Sequence, residues 1–86
     1  MNNKYRWPLA QLLLQQGYYQ KAIAELDKVK DKDHEADVAL AKVRAYYKLD
    51  NLEQAIIFAK QADNIESTAA TKSWVKYLSQ KREIAS

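Results

Sequence analysis

Cysteine is absent from this chain of 86 residues, and glycine and proline occur once each. Without cysteine, the chain has no disulfide framework, no thiolate metal site and no cysteine nucleophile. The absence leaves the compartment open, because a cysteine-free chain is compatible with the cytoplasm, which we favour, and with the periplasm if the chain is part of a longer protein. Since residues that break regular structure are so scarce, the composition favours helices joined by short turns over a sheet protein.

Long apolar runs are also missing. The longest is Ala55-Ile56-Ile57-Phe58-Ala59, well short of the ~20 residues that a membrane-spanning helix needs, so we expect no membrane insertion. The 14 basic and 11 acidic residues are interspersed and leave a net charge of +3, which is more typical of an ordinary solvated surface than of a nucleic-acid-binding face. Nucleic-acid binding is therefore a weak alternative, although the tyrosine and tryptophan rings are of the type that stacks on bases.

Residue sets that carry catalysis are missing as well. The chain has no glycine-rich phosphate loop, no nucleophile elbow and no set of Cys and His ligands. His34, the only histidine, stands among acidic residues in a polar segment. Such local clusters are usually solvated surface, and a general base or metal site would need further partners that converge on it. We accordingly expect no enzymatic activity, no metal and no cofactor.

What the chain does contain is one helical pattern that occurs twice. Gly17 precedes a pattern centred on Ala22, and Asp50 precedes a second pattern centred on Ala55, 33 residues downstream. The matching apolar positions are Tyr19, Leu26 and Val29 in the first copy and Leu52, Ala59 and Ala62 in the second. A period of this length is typical of stacked helical repeats, in which no unit can bury its own apolar face alone.

The apolar periodicity predicts five helices. Their expected ranges are about 5–16, 19–30, 34–49, 52–64 and 67–83. The expected buried face of the first helix is Leu9, Ala10, Leu12 and Leu13. Gly17 is expected to take a left-handed conformation at the end of the first helix, and Asp50 or Asn51 is expected to do so after the third.

Polar residues mark the starts of the later helices. The expected N-caps are Asp33 for the third helix, Asn51 for the fourth and Ser67-Thr68 for the fifth. The fourth helix is apolar on more than one side, because Ile57 and Phe58 widen its stripe. A fifth helix is therefore expected to cover it.

These residues resemble the tetratricopeptide repeat, a helix–turn–helix unit of about 34 residues. The resemblance implies a single domain over 1–86, with repeats at about 5–33 and 34–66 and a capping helix at about 67–83. It also implies an all-α, right-handed α-α superhelix. Lys42 stands where the family has leucine, and a shifted register that places Leu40, Val43 and Tyr47 inward fits almost as well. Degenerate repeats of related helical-hairpin families are the alternative.

In that family, the first helix of each pair lines a concave groove that binds an extended or helical peptide. The resemblance therefore implies a non-enzymatic scaffold or adaptor module that binds a protein or peptide partner. The apolar and basic residues at the groove positions favour a partner with acidic groups beside apolar anchors. The implied groove positions are Lys4, Trp7, Gln11, Leu14, Gln15, Asp37, Leu40, Arg44, Tyr47 and Lys48. From these we take Gln11, Leu14, Gln15, Leu40, Arg44, Tyr47 and Lys48 as the candidate peptide-binding residues. The competing interpretation is that they are merely the exposed half of two helices.

Two other functions stay open. The first is a self-assembly module that uses Ile57, Phe58 or Trp74, so that the chain is either a monomer or a weak homo-oligomer. The second is an excised or engineered repeat scaffold without a native ligand. A groove built from only two repeats is short, which predicts weak peptide binding.

Overall fold

The computed structural model describes residues 5–85, and their side chains over 5–84. In that range the chain folds into five α-helices and no strand, which confirms the predicted all-α class. The helices are α1 (Arg6–Gln16), α2 (Tyr19–Leu26), α3 (Glu35–Lys48), α4 (Leu52–Ile65) and α5 (Ala69–Ala85), with a 3-10 turn at Lys32–His34.

The helices form a row. Each helix packs against the next one in the chain, and α1 also contacts α3. The molecule is correspondingly elongated, with principal extents of 45 × 25 × 15 Å. The fold is thus two helical hairpins side by side, α1–α2 and α3–α4, with α5 packed on the second.

Gly17 ends α1 as predicted, in the left-handed region at φ 86°. Its N–H donates to the carbonyl of Leu14 (3.1 Å), and the N–H of Tyr18 donates to the carbonyl of Leu13 (2.9 Å). This pair of bonds is the Schellman arrangement, which satisfies carbonyls that the end of a helix otherwise leaves without partners. The chain therefore turns sharply into α2.

Asp50 makes the same turn after α3, at φ 62°. Its N–H donates to the carbonyl of Tyr47 (3.0 Å), and the N–H of Asn51 donates to that of Tyr46 (2.8 Å). Asn51 then caps α4, because its side-chain oxygen accepts from the N–H of Gln54 (3.3 Å). Of the two residues considered for the left-handed position, Asp50 is thus the one that takes it, and Asn51 is the predicted N-cap.

Small residues let the helices of each hairpin approach closely. Ala10 in α1, Ala22 in α2, and Val43 and Ala55 in the second hairpin all have no exposed surface. The second hairpin and α5 share one apolar core, which includes Val43, Ala55, Ile56, Ala59 and Leu78. The apolar stripe of α4 is thus partly covered by α5, although Ile57 is 53% exposed.

The connection between α2 and α3 differs from the prediction. Helix α2 ends at Leu26 instead of Lys30, because the chain tightens into i→i+3 turns, in which the N–H of Val29 donates to the carbonyl of Leu26 (3.1 Å). This turn keeps Val29 packed on the core. Asp33 is not the cap. Instead, Asp31 accepts from the N–H of Asp33 (2.9 Å) and starts the 3-10 turn.

Leu12 was expected in the buried face of α1, and this prediction is wrong, because its side chain is 49% exposed. The α1 residues that pack on the core of the first hairpin include Trp7, Ala10 and Leu14 instead. At the start of α5, Thr68 and Thr71 cap each other. The hydroxyl of Thr71 accepts from the N–H of Thr68 (2.8 Å), and the hydroxyl of Thr68 accepts from the N–H of Thr71 (3.2 Å).

Candidate peptide-binding cleft

An open cleft of about 790 Å³ lies between α1, α3 and α5. We refer to it as the α1–α3 cleft. The residues that line it are Trp7, Gln11, Leu14, Gln15, Tyr19, Asp37, Leu40, Ala41, Arg44, Tyr47, Lys48 and Trp74. The seven candidate binding residues are therefore side by side in one concavity. Trp7 and Asp37 lie with them, and Lys4 lies outside the described residues. Their role in binding stays a prediction.

Helical spacing explains why these side chains converge. Trp7, Gln11 and Leu14 follow each other on α1 at intervals of four and three residues, so they share one face. Asp37, Leu40 and Arg44 do the same on α3, and Lys48 continues that face. Because α1 packs against α3, the two faces form opposite walls of one trough.

The cleft has opposite charges at its two ends. Asp37 lies in the first turn of α3 and Lys48 in the last, a distance of about 16 Å along the helix axis at 1.5 Å per residue. Arg44 lies one turn before Lys48, so the basic charge is concentrated at the C-terminal end of α3. A peptide in the cleft would meet a carboxylate at one end and two cations at the other.

At the acidic end, the rings of Trp7 and His34 stack, with centroids 5.2 Å apart and planes 20° apart. His34 is half-buried, so its interpretation as a solvated surface side chain is only partly right. Its Nε2 lies 4.0 Å from the carboxylate of Asp31, and its Nδ1 lies 3.8 Å from that of Asp37. The stack packs the 3-10 turn against α1 beside this end of the cleft.

At the basic end, three aromatic side chains meet, which we call the aromatic corner: Tyr47, Trp74 and Tyr77. The rings stand at 65–72° to each other with centroids 5.7–6.4 Å apart. The hydroxyls of Tyr47 and Tyr77 are hydrogen-bonded at 2.9 Å. That bond, with some desolvation, raises the pKa of Tyr77 above its ordinary value of 10.0, so Tyr77 is a neutral hydrogen-bonding group at neutral pH.

The sequence indicated the α1 and α3 walls but missed the contribution of α5. Trp74 was considered for self-assembly. It is half-buried against the second hairpin, and it also lines the cleft. Trp74 and Tyr77 are three residues apart, which predicts a shared face. How far that face reaches past α4 depends on where α5 crosses the hairpin, and local spacing does not determine the crossing.

The described residues provide neither a metal-binding cluster nor a membrane-spanning helix. Over residues 5–85, no cluster of three or more His, Asp or Glu side chains is arranged to hold a metal ion. None of α1 to α5, the helices of the described range, combines the length and apolar character that crossing a bilayer requires.

No protein-family model, no curated protein and no solved structure matches this chain.

Proposed function

We propose that this chain is a non-enzymatic protein-interaction module, a scaffold or adaptor that binds a peptide segment of a partner protein in the α1–α3 cleft. In this proposal the two hairpins are tetratricopeptide-like repeats of a right-handed superhelix, and α5 is the capping helix. The observation that carries the proposal is the open trough between α1 and α3. The turns at Gly17 and Asp50, which are 33 residues apart and have the same hydrogen bonds, support the repeat assignment.

The shape and the chemistry of the cleft suit a peptide. Its volume is within the range of ligand sites, but it is open along one side, so an extended chain can enter without passing through a narrow mouth. Leu14, Leu40 and Tyr47 offer apolar contacts, and Arg44 and Lys48 stand beside them. Arginine and tyrosine are among the residue types that dominate binding energy at interfaces. We infer a ligand with apolar anchors and an acidic group directed toward the basic end.

Affinity is expected to be modest. Only two repeats contribute to the cleft, so few side chains can contact a ligand at once. We expect dissociation constants in the micromolar range or weaker, equivalent to binding free energies of about −8 kcal/mol or less favourable. A partner that presents several copies of the motif would bind more tightly through avidity.

A peptide-display selection tests the proposal. The wild type is used as bait beside Arg44→Glu/Lys48→Glu, which reverses two exposed charges of the cleft. Lys21→Glu/Lys60→Glu is the matched control, because it makes the same change in net charge at exposed residues of α2 and α4 outside the cleft. Acidic-apolar peptides should be enriched by the wild type and the control and lost with the cleft variant. Equal enrichment by all three would remove the cleft from consideration.

Self-assembly is the second candidate function. Of the three residues considered for it, Ile57 is exposed, whereas Phe58 stacks on Tyr46 with ring centroids 5.6 Å apart and Trp74 is half-buried. Exposed Ile57 is the observation in its favour. Light scattering over a range of concentrations tests it, with Ile57→Glu as the variant. A strict monomer at high concentration would eliminate this candidate.

A further inference from the structure

We propose that the aromatic corner is a subsite for a proline of the partner peptide, held in a polyproline II segment that carries acidic residues. The inference deepens the proposed function and rests on it, because it names the class of peptide that the cleft binds. It also gives α5 a direct part in recognition in addition to its part in the core.

The shape of the aromatic corner is the first observation that favours a proline. A cavity of about 380 Å³ is lined by Tyr47, Ala70, Ser73, Trp74 and Tyr77. The three rings pack edge to face on one another, so a ligand would lie on their outer faces and edges and not between them. Ala70 and Ser73 are small and exposed, and they leave one side of these rings open. A compact ring such as that of proline packs on an aromatic surface of this kind.

The corner is continuous with the cleft. Tyr47 and Trp74 line both the α1–α3 cleft and the corner cavity. A peptide that lies in the cleft therefore passes over these two rings at the basic end. The corner is thus an extension of the same binding surface.

The polar atoms of the corner favour a ligand that offers hydrogen-bond acceptors. One hydroxyl proton is used in the bond between Tyr47 and Tyr77, which leaves the second hydroxyl proton free to donate. Ser73 and the indole N–H of Trp74 are further donors. A polyproline II segment has no internal hydrogen bonds, and its prolines lack an N–H. It therefore presents carbonyl acceptors without donors that need partners.

The charges near the corner favour this ligand over the main alternative, an ammonium group. Aromatic clusters also bind ammonium groups, including methylated lysines. Here three basic residues lie near the corner: Arg44 and Lys48 in the adjoining cleft, and Lys81, which lies near enough to Tyr77 to influence its ionisation. A cationic ligand would be repelled, whereas acidic residues beside a proline would be attracted. A polyproline II segment also loses little conformational entropy on binding, which matters in a short cleft.

Fluorescence anisotropy with dye-labelled peptides at low salt tests the inference. The first peptide alternates glutamates with proline pairs. The second replaces every proline by alanine, the third replaces the glutamates by lysine, and the fourth carries trimethyl-lysine. We expect the first to bind more tightly than each of the others by about tenfold, equivalent to about 1.4 kcal/mol. Equal binding of the alanine peptide, or tighter binding of the trimethyl-lysine peptide, would overturn the proline assignment.

Two variants locate the contact. Ser73→Glu places a carboxylate in the corner, and Gln61→Glu places one on α4, outside both the cleft and the corner; both residues are exposed. Ser73→Glu should weaken binding of the acidic proline peptide by about tenfold, whereas Gln61→Glu should change it by less than about twofold. Unchanged binding in Ser73→Glu, together with loss in Arg44→Glu/Lys48→Glu, would overturn the corner subsite and leave the proposed function standing. If display-selected peptides bind the cleft but the acidic proline peptide does not, the inference fails alone. If no peptide binds, the proposed function fails with it.

Discussion

Gly17 and Asp50, 33 residues apart, hold the same left-handed backbone conformation, with φ angles of 86° and 62°. Each ends the first helix of a hairpin, and each closes the turn with the same two backbone hydrogen bonds. The internal repeat of the sequence is therefore also a repeat of local structure. Only the first copy has glycine at this position, the residue that adopts such a conformation without strain.

The difference between the two turns leads to a first prediction. Asp50→Gly should raise the free energy of unfolding by up to about 1 kcal/mol, because it relieves left-handed strain. Gly17→Ala should lower it by about 1–2 kcal/mol, purely through conformation, since an added Cβ at Gly17 meets nothing within 4 Å. Urea unfolding followed by circular dichroism measures both. A less stable Asp50→Gly would show that the aspartate side chain itself supports the turn.

The second prediction concerns the close contact within each hairpin. Ala22 and Ala55 have no exposed surface, so a larger side chain must displace the facing helix. Ala22→Leu or Ala55→Leu should each lower stability by about 1–3 kcal/mol. Ala24→Leu is the matched control, because Ala24 is an exposed residue of the same α2 helix. If thermal melting shows no loss of stability for either buried variant, the alignment of the two repeats is wrong.

Sequence periodicity predicted most of the fold because its strongest signals are local. A buried alanine, a turn residue and apolar positions three and four apart suffice to place α1, α3 and α4 within one or two residues. The end of α2 was missed because Val29 continues the helical spacing of Leu26, although tight turns also keep it on the core. The spacing of apolar residues does not distinguish a continued helix from a tight turn at this position.

The candidate cleft was predictable to a similar extent. Once the helices pair as hairpins, helical spacing decides which side chains of α1 and α3 face the same way. Helical spacing did not predict that Trp74 lines the cleft. That position depends on how α5 crosses the second hairpin, and the packing of Leu78 into the core of that hairpin sets the crossing. That contact joins residues far apart in the chain, and a single sequence carries no local sign of it.

Lys42, which departs from the family pattern, gives the third prediction. Its side chain is only 14% exposed, and its Nζ lies 2.6 Å from the carboxylate of Asp27, which is 59% exposed, and 4.8 Å from the ring centre of Phe58. Lys42→Leu should keep or raise stability, because the aspartate left behind is solvated. Asp27→Ala should lower stability by about 0.5–1 kcal/mol, since it leaves a partly buried ammonium without this partner. If urea unfolding shows that Lys42→Leu is less stable than Asp27→Ala, this account is contradicted.

The fourth prediction concerns the attachment of α5. The carboxylate of Asp63 in α4 accepts hydrogen bonds from the hydroxyls of Thr71 (2.7 Å) and Ser67 (2.9 Å). The bond from Thr71, followed by that from Ser67, holds the pKa of Asp63 below its ordinary value of 3.8. A carboxylate whose pKa is lowered by folding stabilises the fold above its unfolded pKa, and this contribution is lost as the pH falls through the folded pKa.

Asp63→Asn should therefore be less stable than the wild type at neutral pH, and the difference should shrink as the pH falls below about 4. Unfolding in urea at several pH values measures the difference. Asp33→Asn removes one negative charge from the 3-10 turn and serves as the control for net charge. A gap between wild type and Asp63→Asn that stays constant down to low pH would mean that the ionised carboxylate does not hold α5 in place. A gap that closes would instead identify Asp63 as the acid-sensitive attachment of the helix that completes the aromatic corner.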